Sequence, residues 1–484
     1  MSIHESPAAA ELVTAARMRA IERAAIESGA VTGAELMERA GRGVVAAIHA
    51  RYPALAADPG RATVLCGPGN NGGDGYVIAR LLDDWGWQVE VWALGDPARL
   101  PADASVNHAR WCARGAVRPL DAADLRDALC RAPSALLVDA LFGTGLTRPL
   151  PDAAVQALAA PGSGAARTAA GPVCIAVDIP SGLCSDSGRS LGPPCPADLT
   201  VTFHAAKPGH YLDAGPAACG ALEVVDIGLR GGAVAAAHAP APVTRGRAPA
   251  GLDKAGGHKY DHGHALVLSG GAGRTGAARL AARGALRVGA GLVTLAAPGA
   301  AMAECAAQLS AVMLRRCEGA GALNDDLARG ARINALCLGP GLGLDARAAG
   351  LVEAALAQAA DGARGVVLDA DALMLFNDRP SRLFALTRAA GRAVLTPHDG
   401  EFARLFPDLA DRLSAGGSSG AVFSRIDAVR AAAERAGGTV LLKGPATVIA
   451  APGGAAALHA AVYDRATPWL ATAGAGDVLA GLIT

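Results

Sequence analysis

The sequence predicts an α/β protein of two domains joined by a linker. Three observations carry this. The chain has 484 residues, too long for one ordinary hydrophobic core. Short apolar runs recur along it. Each ends in a turn of Gly, Asp, Asn, His or Lys and is followed by helical spacing, the rhythm of an open parallel sheet. Residues 231–251 are rich in Ala, Pro and Gly without periodicity, so they read as a linker between domains at 1–230 and 252–484.

Composition narrows the function. The 44 basic residues balance the 44 acidic ones, which excludes nucleic-acid binding by bulk electrostatics. The ten cysteines form no C-x-x-C pair and no His/Cys ligand spacing. They read as reduced, mostly buried thiols of a cytoplasmic protein. Met1 to Glu11 lacks a basic region followed by an apolar run, and no apolar run is long enough to span a bilayer. Neither a secretion signal nor a membrane span is expected.

Ala10 to Tyr52 reads as two helices parted at Gly29 and Gly33, because Met18, Ile21, Leu36, Val44 and Ile48 recur near helical spacing. Packing is their expected role. Arg61 to Cys66 is a buried strand. It enters Gly67-Pro68-Gly69-Asn70-Asn71-Gly72-Gly73-Asp74-Gly75, with a helix expected from Tyr76 to about Trp85 and a strand at Gln88 to Leu94. The turn matches neither G-x-G-x-x-G nor a P-loop. Its Asn carbonyls suit a hard cation or ribose hydroxyls. The plainer alternative is a tight turn using Asn and Gly for positive φ.

Ala135 to Ala140 and Val173 to Asp178 are strands that deliver Asp139 and Asp178 to the sheet edge where open α/β sheets bind ligands. Ser181 is not in G-x-S-x-G, so it is no hydrolase nucleophile. Ala197 to Phe203 is a further strand, followed by a basic turn with Lys207. Ala221 to Ile227 is the last strand of this half.

The blocks N-N-G-G-D-G, V-D-A-L-F-G-T-G-L, V-D-I-P-S-G-L, A-D-L-T-V-T-F-H-A-A-K-P-G-H and V-D-I-G-L make residues 10–230 resemble the NAD(P)H-hydrate epimerases. The resemblance implies a Rossmann-like doubly wound domain. It would interconvert the two C6 epimers of hydrated NADH or NADPH and bind a potassium ion. By the same resemblance Asn71, Asp139 and Ser181 are the ion's ligands. Asn70, Asn71, Gly72, Gly73, Asp74, Gly143, Thr144, Gly145, Leu146, Thr147, Arg148, Pro149 and Asp178 contact substrate. Asp178 is the expected proton acceptor or donor.

The second half repeats the strand rhythm. Ala265 to Leu268 runs into the turn Ser269 to Gly276, and a helix follows from Ala277 to about Val288. Later strands run into Gly339-Pro340-Gly341-Leu342-Gly343, Asp369-Ala370-Asp371, Pro397-His398-Asp399-Gly400-Glu401 and Lys443-Gly444-Pro445-Ala446-Thr447. His258, His262 and His264 lack a partnering Cys or His cluster, so no metal is expected there. Finally Ala471 to Gly481 sends small residues and glycines into an apolar helix that begins near Asp477. A helix N-terminus holds anions. Asp477 there is either a helix cap or a base beside a phosphate site.

G-P-G-L-G, L-D-A-D-A-L, L-T-P-H-D-G-E-F, L-L-K-G-P-A-T and T-A-G-A-G-D-V-L-A-G resemble the ribokinase-like ADP- or ATP-dependent NAD(P)H-hydrate dehydratases, from about His258 onward. The G-A-G-D element is common to many ribokinase-type kinases. The family usually carries Pro or a small residue where Asp399 stands, and its members continue past the equivalent of Thr484, so terminal helices are expected to be missing. The resemblance implies that Asp477 takes the C6 hydroxyl proton while N–H groups around Gly474 to Gly476 stabilise the transferring phosphoryl group. Lys443, Gly444, Pro445, Ala446, Thr447 and Gly476 cradle the nucleotide, which arrives with magnesium. Ala277, Gly341, His398 and Asp477 contact the hydrate. Phosphate then leaves and the dihydronicotinamide is restored.

The whole chain is thus expected to repair hydrated NADH and NADPH, as an isomerase and a lyase. Its expected partners are these small molecules and ADP or ATP, with no nucleic acid or membrane, and a homo-oligomer is expected. The competing reading is a ribokinase-type small-molecule kinase fused to a non-catalytic nucleotide-binding module.

Overall fold

The computed structural model describes residues 11–160, 171–229, 242–247, 252, 254, 256–329, 332–360, 364–415 and 422–484. The chain divides into two units, one built mainly from residues before Arg245 and the other mainly from Arg245 onward. Most of the expected linker lies outside the described residues. Within it Val243–Arg245 form a short strand.

In the first unit the apolar runs form β1 (Arg61–Cys66), β2 (Gln88–Ala93), β3 (Val117–Pro119), β4 (Leu136–Ala140), β5 (Val173–Val177), β6 (Leu199–Phe203) and β7 (Ala221–Val225). Their order is β3-β2-β1-β4-β5-β6-β7, and every ladder is parallel. This is the doubly wound arrangement, with its switch point between β1 and β4. Helices Ala15–Glu27 and Gly33–Arg51 fall where the apolar spacing puts them. Thr14 caps the first, and Thr32 with Glu35 forms a capping box on the second. Val44, Ile48, Val64, Ile78 and Val138 share one core.

The Asn/Gly stretch after β1 is not the irregular loop the sequence suggests. The helix starts at Asn70 and runs to Trp85, and none of Gly67, Gly69, Gly72, Gly73 and Gly75 has positive φ. The glycines serve close packing instead. A Cβ on Gly72 would lie 1.9 Å from the Gly67 carbonyl oxygen, and one on Gly73 would lie 2.6 Å from Met37. Tertiary packing thus overrides the poor helix propensity of glycine.

The second unit holds β8 (His264–Leu268), β9 (Leu292–Ala297), β10 (Met313–Arg316), β11 (Ala335–Leu338), β12 (Gly365–Leu368), β13 (Ala393–Leu395), β14 (Thr439–Leu442), β15 (Ala446–Ala450) and β16 (Ala456–Ala460). They lie in the order β16-β15-β14-β13-β12-β11-β8-β9-β10. From β10 to β14 the ladders are parallel, and β14-β15-β16 are antiparallel. Helix Ala475–Ile483 packs on helix Gly276–Val288 through small residues. A Cβ on Gly481 would sit 1.9 Å from the Ala281 carbonyl oxygen. Among the described residues no helix is long and apolar enough to cross a membrane.

Candidate active sites

In the first unit the strand ends converge on a cavity of about 590 Å³. Asn70, Asn71 and Asp74 line it from the first turns of helix Asn70–Trp85. Gly143, Thr144, Gly145, Leu146, Thr147 and Arg148 line it from the loop after β4, and Asp178 from the end of β5. Gly72 and Gly73 do not join them. They are buried and packed on Gly67 and Met37. Pro149 is exposed and lies outside the lining.

Asp178 adopts φ 68°, the left-handed region that Asp tolerates better than most residues. Its carboxylate is held from both sides. Thr144 donates its backbone N–H at 2.8 Å, and its hydroxyl, to Oδ2; Thr202 Oγ1 at 2.9 Å and Lys207 Nζ at 2.8 Å donate to Oδ1. Burial alone would raise the pKa. The Lys207 ammonium and the hydrogen bonds from Lys207 and Thr144 outweigh it and hold the carboxyl well below the usual range. Asp178 is therefore held as an anion by Lys207, Thr144 and Thr202. His210 braces the turn from behind: its Nδ1 accepts from the Lys207 N–H at 3.0 Å and its Nε2 lies 2.9 Å from the Asp178 carbonyl. Burial first, and then Lys207, push its pKa down to about 4, so the ring is neutral.

Of the expected ion ligands, Asp139 and Ser181 meet. Ser181 donates its hydroxyl at 2.6 Å and its N–H at 2.9 Å to the Asp139 carboxylate, and its Oγ lies 3.2 Å from the Phe142 carbonyl oxygen. Burial raises the Asp139 pKa against these hydrogen bonds. Asn71 reaches the same loop, since a Cβ on Gly143 would lie 2.7 Å from its Oδ1 and 3.0 Å from Asp178 Oδ2. Its buried Nδ2 has no hydrogen-bond partner.

Sequence reasoning missed one wall of this cavity. Met18, Arg19 and Glu22 of helix Ala15–Glu27 line it, with Phe203 and Lys207. The helix spacing marked only its apolar face.

In the second unit the loops after β11, β12, β13 and β14 carry the expected residues. Asp369, 2% exposed, follows β12 and accepts from Lys443 Nζ at 2.7 Å and Thr396 Oγ1 at 2.8 Å. Asp371 Oδ2 accepts from the Gly343 N–H at 2.9 Å, which ties the G-P-G-L-G loop to this turn. Gly341 has φ 64°, and a Cβ there would stand 2.6 Å from the Arg274 carbonyl oxygen and 3.5 Å from the Ala277 methyl. The two expected hydrate contacts Gly341 and Ala277 are thus neighbours.

Asp477 is the third residue of helix Ala475–Ile483. The cap is Gly474, at φ 90°, with no side-chain cap bond. The helix-cap alternative for Asp477 therefore fails. Partial burial raises its pKa first. Asp369 and Asp371 add to this, and Lys443 opposes it. Lys443 Nζ would lie 3.5 Å from a Cβ on Gly476, so the lysine spans from Asp369 to the start of this helix.

Two expected contacts also have partners within the protein. His398 caps helix Asp399–Leu405: its Nδ1 accepts from the Gly400 N–H at 3.0 Å and the Glu401 N–H at 3.3 Å. That nitrogen is committed to the backbone, while the side chain is 56% exposed with its Nε2 3.4 Å from Glu401. Thr447 lies on strand β15 and is not in the turn. Its hydroxyl donates to the Gly444 carbonyl at 3.0 Å, while Gly444 and Pro445 are exposed. Asp399, unusual at its position, accepts from Arg425 at 2.6 Å on the surface. Asp369 and Asp371 were read only as a strand-ending turn.

Comparison with known proteins agrees along the whole chain. The NAD(P)H-hydrate dehydratase family matches residues 265–484, and the YjeF-related protein N-terminus family matches residues 33–209. The bifunctional NAD(P)H-hydrate repair enzyme of Moorella thermoacetica is 36% identical over 98% of this chain and 87% of its own length. The NAD(P)H-hydrate epimerase of Rhodobacter capsulatus is 46% identical over 41% of this chain and 91% of its own. A solved ADP/ATP-dependent NAD(P)H-hydrate dehydratase from Bacillus subtilis is 27% identical, covers 48% of this chain and 74% of its own, and has a TM-score of 0.35.

Proposed function

Since the chain belongs to the family of bifunctional NAD(P)H-hydrate repair enzymes, we propose that its two lysine–aspartate pairs, Lys207–Asp178 and Lys443–Asp369, anchor its two reactions. The first half epimerises the R and S hydrates of NADH and NADPH at C6. The second half dehydrates the S hydrate in a nucleotide-dependent reaction. The kinase alternative is not favoured, because the relatives matched along the chain are repair enzymes.

In the first half the hydrate's ring occupies the cavity between Asn70, Thr144 and Asp178. Departure of the C6 hydroxyl leaves positive charge on the ring, and the Asp178 carboxylate is the anion opposite that charge. Asn71, Asp139 and Ser181 are proposed to hold potassium. The fit rests on an all-oxygen donor set and a buried carboxyl that an adjacent cation would keep ionised. The ion supplies fixed positive charge beside the loop that carries Thr144.

In the second half the C6 hydroxyl is phosphorylated and phosphate is then eliminated. Asp477 takes the hydroxyl proton; partial burial, then Asp369 and Asp371, raise its pKa against Lys443. The first N–H groups of helix Ala475–Ile483 have no acceptor within the helix and face the phosphoryl charge. Lys443 binds the nucleotide's phosphates. Magnesium, where bound with the nucleotide, supplies charge neutralisation there. Gly341 and Ala277 contact the hydrate.

The observation that carries this reading is the position of Asp477 at a helix N-terminus beside Lys443, Asp369 and Asp371. The test is incubation of the chain with hydrated NADH and ADP or ATP, following absorbance of the reduced nicotinamide. Recovery of NADH with free phosphate is expected. A stable phosphate ester of the hydrate would instead make the second half a kinase.

A further inference from the structure

We propose that Glu22 is the proton donor to the departing C6 hydroxyl in the first half, acting across the cavity from Asp178. The proposal rests on the epimerase reading above and adds a residue from a helix that none of the recognised sequence blocks includes.

The argument begins with position. Helix Ala15–Glu27 is one wall of the cavity, and Met18 and Glu22, four residues apart, lie on the same face. Its lead-in is fastened to the site's own loops. The Val13 N–H donates to the Ala206 carbonyl at 2.9 Å, next to Lys207, and the Ala15 N–H donates to Asp186 Oδ1 at 2.7 Å, in the loop after Asp178. The wall is therefore registered against the residues it faces. Arg19, Asp74, Arg148, Asp178 and Lys207 are the other ionisable groups on the cavity lining.

The chemistry needs a second group. Asp178 is tied down by Thr144, Thr202 and Lys207, so it cannot carry a proton to and fro. Burial raises Glu22 first and the Asp178 charge adds to it, while Lys207 and Arg19 oppose. Asp74 is raised by burial and then by Asp178 and Glu22, without an opposing cation, and is the second carboxyl that the test must tell apart from Glu22. Two groups pushed apart in this way define an acid and an anion.

The step balances without a redox partner. As the C6–O bond breaks, the nitrogen lone pair forms the N1–C6 double bond, and the Glu22 proton leaves with the oxygen as water. Water then adds to the other face, the double-bond pair returns to nitrogen, and the surplus proton returns to the Glu22 carboxylate through the cavity's water. The net change is inversion at C6.

The test uses the whole chain with one purified hydrate epimer and follows appearance of the other by chromatography, above the rate without protein. Glu22→Gln is expected to lower kcat by about 10²–10⁴-fold with KM changed by less than about threefold. Glu22→Asp should recover part of the rate, and Glu27→Gln, an exposed change on the same helix, should match wild type. The decline of kcat at high pH, where the acid loses its proton, should vanish in Glu22→Gln and persist in Asp74→Asn. Urea unfolding followed on the first unit, unchanged in Glu22→Gln, reports that this half is folded. A Glu22→Gln rate within about threefold of wild type, a loss carried by KM alone, or a pH limb that disappears with Asp74→Asn instead would overturn the proposal. A wild-type chain with no epimerase rate at all would overturn the epimerase reading along with it.

Discussion

The two halves solve one problem in opposite ways. Each sets a lysine against an aspartate at the C-terminal edge of its sheet, at 2.8 Å in the first unit and 2.7 Å in the second. In the first pair both side chains are buried, 1% and 12% exposed, and the aspartate that faces the cavity is the paired one. In the second pair the lysine is 19% exposed. The carboxylate proposed as base there is Asp477, whose pKa burial raises first and Asp369 and Asp371 raise further, against Lys443. A pairing lysine thus makes one carboxylate a permanent charge. Burial, with further carboxylates nearby, pushes the other toward its protonated form.

The sharpest break of this comparison is Asp477→Asn. Asn keeps the side chain's shape, so nucleotide binding by calorimetry should be unchanged. Dehydration should fall by about 10²–10⁴-fold, because the base is gone. Turnover near wild type would remove Asp477 from the mechanism.

Next in size is Lys207→Met, which leaves Asp178 buried without its cation. A loss of about 3–5 kcal/mol is expected in urea unfolding followed on the first unit. Lys443→Met also leaves a buried carboxylate, Asp369, without its cation, but Thr396 still donates to it and the lysine was 19% exposed, so a smaller loss of about 1–3 kcal/mol is expected in the second unit. Equal losses would show that the two pairs do not differ as described.

Acid should separate the units in a third way. The unfolded His210 ring takes a proton below pH 6.5, while the folded ring stays neutral to about 4. Between these values the unfolded chain binds more protons, so the first unit loses about 3 kcal/mol as pH falls. Asp477 acts with the opposite sign: its folded pKa is raised, so its ionised form costs the second unit stability at high pH, and protonation relieves it. Hydrogen exchange of peptides from each half, between pH 7 and pH 4, should show protection falling around His210. Unchanged protection there would contradict a neutral, buried ring. The smallest expected effect is on the ion. Asp139→Ala should weaken potassium binding by about tenfold or more, and an unchanged titration would end the ligand assignment.

Much of this was legible in the sequence because both folds gather strand ends at one edge. Asp139, Asp178, Asn70 and Gly143 could be placed together from strand order alone. Three things were hidden for physical reasons. Glu22 sits on a helix whose apolar spacing announces only packing, and the cavity it lines is completed by residues from Pro68 to Lys207, far along the chain. The first turns of helix Asn70–Trp85 looked like a loop because glycine lowers helix propensity, whereas here it permits contact that a Cβ would forbid. His398 was expected at the hydrate from the resemblance alone, and only the structure shows its Nδ1 capping the next helix. The hairpin β15–β16 was missed because its alanine-rich strands alternate too weakly to signal.

The enclosure of Lys207 also gives the protein a built-in timer. With 1% of its surface open, its amine cannot meet an acylating reagent until the first unit opens. Its labelling rate then measures opening, not amine chemistry, provided reagent is in excess. Lys443, partly open to solvent, labels without that delay. The ratio of the two modifications in one digest would therefore follow the first half's breathing, with no probe added to the chain and no variant made.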